Sequence, residues 1–315
     1  MSSDAHSAGV AELGLGLAAL GRPGYINLDH GADIADASRE AMERTAQAVL
    51  DAAYEAGVRA FDAARSYGAA EAFLASWLER RGLSPEHVAV SSKWGYAYTA
   101  GWRVHANRHE VKDLSAKQLR RQWGETRELL GEHVRLYQIH SATLESGVLD
   151  DTAVREELAV LRAGGIRIGL TVTGAGQAAT IERALVVGGF DAVQATWNLH
   201  ERAAERALTR AHEAGLRVYV KEALANGRLT ARGSDGALAA AARERGATED
   251  GLALAAALAQ PWADVVLSGA ATTEQLQSNL AARTLTWDAG LERRLAGLVE
   301  EPAAYWAARA ALPWT

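Results

Sequence analysis

The sequence predicts an α/β fold, a single (β/α)8 TIM barrel with its active site at the C-terminal face of the strands. Three observations carry this. Eight short apolar runs recur along the 315 residues, and the later ones each follow an amphipathic helical pattern. Their number and regular spacing favour a closed barrel over an open sheet. No Pro/Gly/Ser-rich linker and no shift in composition divides the chain, so residues 1–315 are expected to form one domain.

Taken in order, the first expected strand is LGLGLA (13–18). The second, VRAFD (58–62), follows REAMERTAQAVLDAAYEAG, whose apolar residues fall at helical spacing and which stops at Gly57. A glycine there takes the left-handed conformation without strain. HVAVSSK (87–93) and RLYQIH (135–140) come next. IRIGLT (166–171) follows VREELAVLRAGG, then DAVQAT (191–196). LRVYV (216–220) follows AERALTRAHEAG, which ends on Gly215, and ADVVLS (263–268) closes the set. Residues 94–114 and 222–236 exceed the minimal unit. Long loops after barrel strands build active sites, so both are expected near the chemistry.

Composition removes several functions. A net charge of -6, with no run of like charges, argues against nucleic acid as the main partner. With no cysteine there is no disulfide, thiolate catalysis or cysteine-bound metal. No apolar stretch is long enough to span a bilayer. The start, MSSDAHSAGVAEL, lacks a basic stretch followed by an apolar core, so no signal peptide is expected. A cytoplasmic protein, monomeric or weakly oligomeric, is the expectation.

Chemistry gathers at the ends of the second, third and fourth strands. Asp62 closes VRAFD, Lys93 closes HVAVSSK and His140 closes RLYQIH, while Tyr67 lies five residues past Asp62. Each alone has a plain structural use: an Asp caps a turn, a His satisfies a core, a loop Tyr packs. Lys93 is different, because lysine is rarely buried unless paired, and Asp62 on the adjacent strand is its obvious partner. The conjunction is far more specific than any member.

These residues resemble the aldo-keto reductase superfamily. GVRAFDAARSYGAAEAFL looks like that family's signature, SSKWG resembles its lysine strand, RLYQIHSA its histidine strand and VVLSGAATTEQLQSNL its cofactor-phosphate segment. The matches run in the family's order across nearly the whole chain. The resemblance implies hydride transfer between NADP(H) and a small aldehyde, ketone or alcohol, catalysed by Tyr67, Lys93, Asp62 and His140. Hydride delivery leaves charge on the carbonyl oxygen, so a proton donor must stand beside it. Lys93 is expected to lower the Tyr67 pKa, Asp62 to keep Lys93 charged, and His140 to orient the carbonyl.

The cofactor residues follow from the same resemblance. Gly269, Ala270, Thr272, Gln275, Ser278 and Asn279 are expected at the adenosine phosphate end, where a helix starting near Thr272 or Thr273 offers free N–H groups. Gln194 is expected to hold the nicotinamide amide, Trp197 to stack on the ring, and Thr171 to stand where a Ser is common. Leu224 and Asn226 align with the pyrophosphate loop, and Gly16, Ala18 and Asp62 with the nicotinamide floor.

Three departures bear on the cofactor. Val172 stands where an Asn often binds the amide, and Gln275 replaces an Arg used against the 2′-phosphate, so NAD(H) is an alternative to NADP(H). Glu222, in EALA, is unfavourable near a pyrophosphate unless it turns away. GLGLAALG lacks the Rossmann spacing and GAGQAAT lacks a phosphate-loop Lys. His105 and His109 have no evident third ligand, so no metal is expected. The 94–114 loop reads better as a substrate lid offering Trp94, Tyr96, Tyr98 or Trp102. EEPAAYWAARAALPWT is expected to hold a helix bearing Tyr305 and Trp306. The alternatives are a sugar dehydrogenase of the same superfamily and a cofactor-binding regulatory barrel with little turnover.

Overall fold

The computed structural model describes residues 11–233 and 236–315. The start of the chain, read above for a signal sequence, lies outside them as far as residue 10, as do residues 234 and 235 of the second long loop. The strands are β1 Glu12–Gly16, β2 Ala60–Asp62, β3 Ala89–Trp94, β4 Tyr96–Tyr98, β5 Glu110–Lys112, β6 Val134–Ala142, β7 Arg167–Val172, β8 Ala192–Thr196, β9 Arg217–Lys221 and β10 Val265–Ser268. Eight of them pair in parallel and close a barrel in the order β1-β2-β3-β6-β7-β8-β9-β10, with β10 returning to β1. All eight expected strands are present, displaced by two residues or fewer at either end.

The helices are α1 Arg39–Glu55, α2 Ala70–Arg81, α3 Ala116–Leu130, α4 Thr152–Ala163, α5 Gln177–Val187, α6 Glu205–Glu213, α7 Gly236–Glu244, α8 Glu249–Leu258, α9 Thr273–Leu280, α10 Ala289–Leu295 and α11 Pro302–Ala310. Sequence explains their limits. The Ser38 hydroxyl accepts from Ala41 N at 3.3 Å and starts α1. Met42, Ala46, Val49, Leu50 and Ala53 then bury one face. Gly57 ends the helix at φ 86°, a conformation that costs an L side chain strain. None of the described helices is long and apolar enough to cross a membrane.

Two apolar layers result. The larger lies between strands and helices. A small one fills the barrel interior with Ala60, Leu136, Ala192, Tyr219, Val265 and Leu267. Small residues make the interior fit: a Cβ on Gly169 would come within 2.9 Å of the Gln138 side chain and 3.3 Å of the Ala192 carbonyl. The inside of the barrel is therefore solid at its floor, and space opens at the C-terminal mouth.

One feature departs from expectation. Residues 94–114 contain an antiparallel hairpin, with Tyr96 opposite Lys112 and Tyr98 opposite Glu110. Its arms are three residues each, too short for alternation to register in sequence. Gln122 of α3 fixes its base, accepting from Gly95 N at 2.8 Å and donating to Tyr96 O at 2.9 Å.

Candidate active site at the barrel mouth

Parallel strands bring their C-terminal residues to one rim, so Asp62, Lys93 and His140 meet there. Lys93 is 1% exposed and donates to the Asp62 carboxylate and, at 3.0 Å, to Ala63 O. Asp62 also accepts from the Ser91 hydroxyl at 2.6 Å and from Gln138 Nε2 at 3.2 Å. A buried charge pair survives only when its remaining valences are satisfied in this way.

Tyr67 stands over that pair. Its ring centroid lies 4.8 Å from Lys93 Nζ, and its edge meets the His140 ring at 5.5 Å. Burial, and then the Asp62 charge, push the Tyr67 pKa well above that of a free phenol. The net direction is opposite to the lowering expected from Lys93: burial and the Asp62 charge hold the phenol protonated, while the ammonium, bonded to Asp62, lies under the ring face. Burial also drives the His140 pKa well down, followed by the charges of Lys93, Lys221, Arg22 and Lys112. His140 is therefore a neutral imidazole, with Ser66 Oγ 3.5 Å from its Nδ1.

A cleft of about 1060 Å³ runs from this cluster across the mouth to the start of α9. That is the upper end of ordinary ligand sites. Gly16, Ala18, Asp62, Tyr67, His140 and Thr171 line its inner part. Gln194, Leu224 and Asn226 follow, then Gly269, Ala270, Gln275, Ser278 and Asn279 at the far end. The cleft carries orphaned polar atoms: Gln194 Nε2 and Asn226 Oδ1 are buried without a partner. A ligand with an amide and other polar groups would satisfy them. At the far end the Thr272 hydroxyl accepts from Gln275 N at 3.2 Å and caps α9. Gly269 has open space where a Cβ would stand, so backbone can approach a phosphate. These residues fit a nicotinamide dinucleotide.

Several residues fall elsewhere than expected. Lys93 lies behind Asp62 and Tyr67 and does not line the cleft. Thr272 is a helix cap rather than part of the wall. Trp197 is fully buried outside the cleft, where its indole donates to Glu205 at 3.2 Å and its ring meets Trp262 edge-on. It therefore offers no face to a ring in the cleft. Of the four aromatics in the 94–114 loop, Tyr96 alone lines the cleft. Trp94 is buried in the core, and Trp102 packs on Phe73 with its indole bonded to Ala37 O at 2.7 Å. His109 stacks on Trp314 at 4.0 Å and contacts Val104 O at 2.8 Å, so its ring serves packing.

Arg22, Trp314 and Lys221 line the wall without a counterpart in the sequence reading. Arg22, 2% exposed, pairs with Glu110 and lies between the rings of Tyr67 and Trp314. Trp314, near the C-terminus, covers that end of the cleft. Lys221 is the last residue of β9, as Lys93 is the last but one of β3, so the strand-end rule could have found it. Glu222, at a left-handed φ of 54°, stays on the cleft wall and is paired there with Arg309, which lines the cleft too. Burial opposes its charge, but Lys221 and then Arg309 carry its pKa down to about 2. Ser141 and Asn226 are also left-handed, at φ 56° and 55°. Such strain gathers where a site dictates backbone direction.

The comparisons agree with this geometry. The sequence model of the aldo/keto reductase family matches residues 12–290. Aldo-keto reductase AKR11C1 of Bacillus halodurans, in its holo form, has a similar structure with TM-score 0.71 and 20% identity, over 93% of this chain and 95% of that one. A Pseudomonas aeruginosa protein proposed to be an aldo-keto reductase gives TM-score 0.63 at 24% identity, over 88% and 92%. No curated protein matches the chain. The family match and the barrel agree, and the chain belongs to the aldo/keto reductase family.

Proposed function

We propose that this chain is a nicotinamide-dependent oxidoreductase that moves a hydride between NAD(P)(H) and a small carbonyl or alcohol, with Tyr67 as the proton donor. The observation that carries the reading is the Tyr67 phenol over the Lys93–Asp62 pair, edge-on to a neutral His140, at the inner end of a cleft that reaches α9. The nicotinamide supplies the hydride chemistry. Tyr67 is kept protonated until charge develops on the substrate oxygen. His140 donates or accepts a hydrogen bond without carrying charge, which orients that oxygen. Gln194 offers its unpaired amide to the nicotinamide amide, and the N-terminus of α9 to a phosphate.

A second reading, a sugar dehydrogenase, is favoured by one observation. The substrate end is walled by Arg22, Tyr25, Tyr96, Glu110 and Arg309, which suits a molecule with several hydroxyls. The deciding experiment follows nicotinamide absorbance with an aromatic aldehyde and with aldoses, in wild type and Tyr67→Phe. Turnover in wild type with loss in the variant supports the assignment. Full turnover in Tyr67→Phe removes Tyr67 from the chemistry.

A further inference from the structure

We propose that Lys221 holds the bound nicotinamide toward its reduced state, so that the cleft favours taking hydride from an alcohol over giving it to a carbonyl. This rests on the function proposed above and adds a direction to it.

Placement comes first. In the β8–β9 register Gln194 lies opposite Tyr219 and Thr196 opposite Lys221, so Lys221 is two residue pairs closer to the mouth than Gln194. Its side chain lines the cleft. From there its charge acts on His140, and Lys93 and Asp62 act on it in turn. A ring held by Gln194 and facing Tyr67 and His140 must therefore lie within the field of this ammonium.

Asp62 is matched by Lys93, Glu110 by Arg22, and Glu222 by Arg309. Lys221 has no carboxylate of its own: it shares Glu222 with Arg309, so four cations face three carboxylates here. It donates to the Thr196 hydroxyl at 2.8 Å, which in turn donates to Glu222 at 3.0 Å. Its approach to Glu222 is 3.8 Å, on a carboxylate already gripped through both oxygens by Arg309. Trp306 of α11 covers it from outside, 5.8 Å from the ring centroid. Lys112, which donates to Ser141 O at 2.7 Å, adds a second cation beside His140. The inner cleft thus carries a net positive charge in a desolvated setting.

Physics supplies the consequence. An oxidised nicotinamide ring is a cation and a reduced ring is neutral. A fixed cation nearby disfavours the charged form, as it would disfavour any neighbouring cation. When the alcohol is oxidised, its C–H bond breaks and the hydrogen leaves with the electron pair for the ring. The hydroxyl proton leaves through Tyr67 to solvent, the reverse of its route in carbonyl reduction, and one positive charge disappears from beside Lys221. Burial brings the Lys221 pKa down to about 8, against the opposing pull of Glu222, so the effect is present at neutral pH and fades above it.

The test is binding, not turnover. Calorimetric titration compares oxidised and reduced NAD and NADP on wild type, Lys221→Met and Lys221→Arg, at pH 7 and pH 9.5. Wild type at pH 7 binds the reduced form at least tenfold more tightly, which for a two-electron couple is about 30 mV. The preference falls to within about threefold in Lys221→Met, persists in Lys221→Arg, and shrinks in wild type at pH 9.5. Equal affinities in wild type, or a preference that survives both Lys221→Met and high pH, overturn the inference while leaving the proposed function standing. Failure of wild type to bind either redox form overturns both. If Lys221→Met does not fold, the pH series on wild type decides alone.

Discussion

Arg309, on the last helix, grips the carboxylate of Glu222, the first residue past β9, with Nε 2.9 and 3.0 Å from its two oxygens. The pair ties α11 to the barrel rim and settles where Glu222 points. It also makes stability depend on acid. The folded pKa of Glu222 is about 2 against an ordinary 4.5. A depressed carboxylate contributes stability that is fully present above the ordinary value and is lost as pH falls through the folded one. Urea unfolding from pH 6 down to pH 2 should show wild type losing stability below about pH 4.5. Arg309→Met should make that limb shallower without removing it, because Lys221 still acts on Glu222. An unchanged limb would mean that Glu222 is not coupled to folding through Arg309.

Tyr67→Phe should lower kcat by about 10² to 10⁴, the usual worth of a positioned proton donor. Cofactor affinity should stay within about threefold, because Tyr67 is not among the residues expected to hold the dinucleotide. Steady-state rates and fluorescence titration check the two halves separately.

Lys93→Met should cost about 3–5 kcal/mol of unfolding free energy, because it leaves the Asp62 carboxylate buried beside Ser91 and Gln138 without its cation. The double change Lys93→Met/Asp62→Leu should recover much of that loss and remain inactive. Chemical denaturation and turnover measured on the same preparations separate the pair's structural part from its chemical one.

His140 should contribute no limb near pH 6.5 to the rate profile, since burial and four surrounding cations keep it neutral. A carbon-13 labelled histidine spectrum across pH 5–8 reads this directly. A titration midpoint near 6.5 for His140 would contradict the charge distribution described above.

Arg232→Ala should speed release of the dinucleotide several-fold. Arg232 pairs with Asp33 and bonds Leu28 O at 3.0 Å. Asn226 Nδ2 donates to Ile26 O at 2.7 Å, and Leu28 N to Asn226 O at 3.0 Å. These contacts join the loop after β1 to the loop after β9 across the cleft. Stopped-flow release is the measurement, and an unchanged rate would show that this strap does not gate the cleft.

Local pattern along the chain encodes its strands, its helices and their ends. The alternation of apolar runs and 3.6-period faces placed eight strands, and Gly57 and Gly215 stopped helices where a left-handed residue was needed. Because parallel strands share one rim, Asp62, Lys93 and His140 at strand ends were bound to meet, with Tyr67 close by. The capped start of α9 at Thr272 was legible for the same reason. Beyond a strand's end that logic fails. Side-chain direction alternates along a strand but is undefined past it, and so Trp197 points into the packing around Trp262 instead of the cleft. Tertiary structure alone decided which charges found each other. Arg22 meets Glu110 across 88 positions and Arg309 meets Glu222 across 87. Long-range pairing of that kind has no period to read. It gives Glu222 two cations, Arg309 and Lys221, and bonds Lys93 to Asp62. The upward Tyr67 pKa shift comes first from burial and then from Asp62, so its sign was fixed only when the chain had folded.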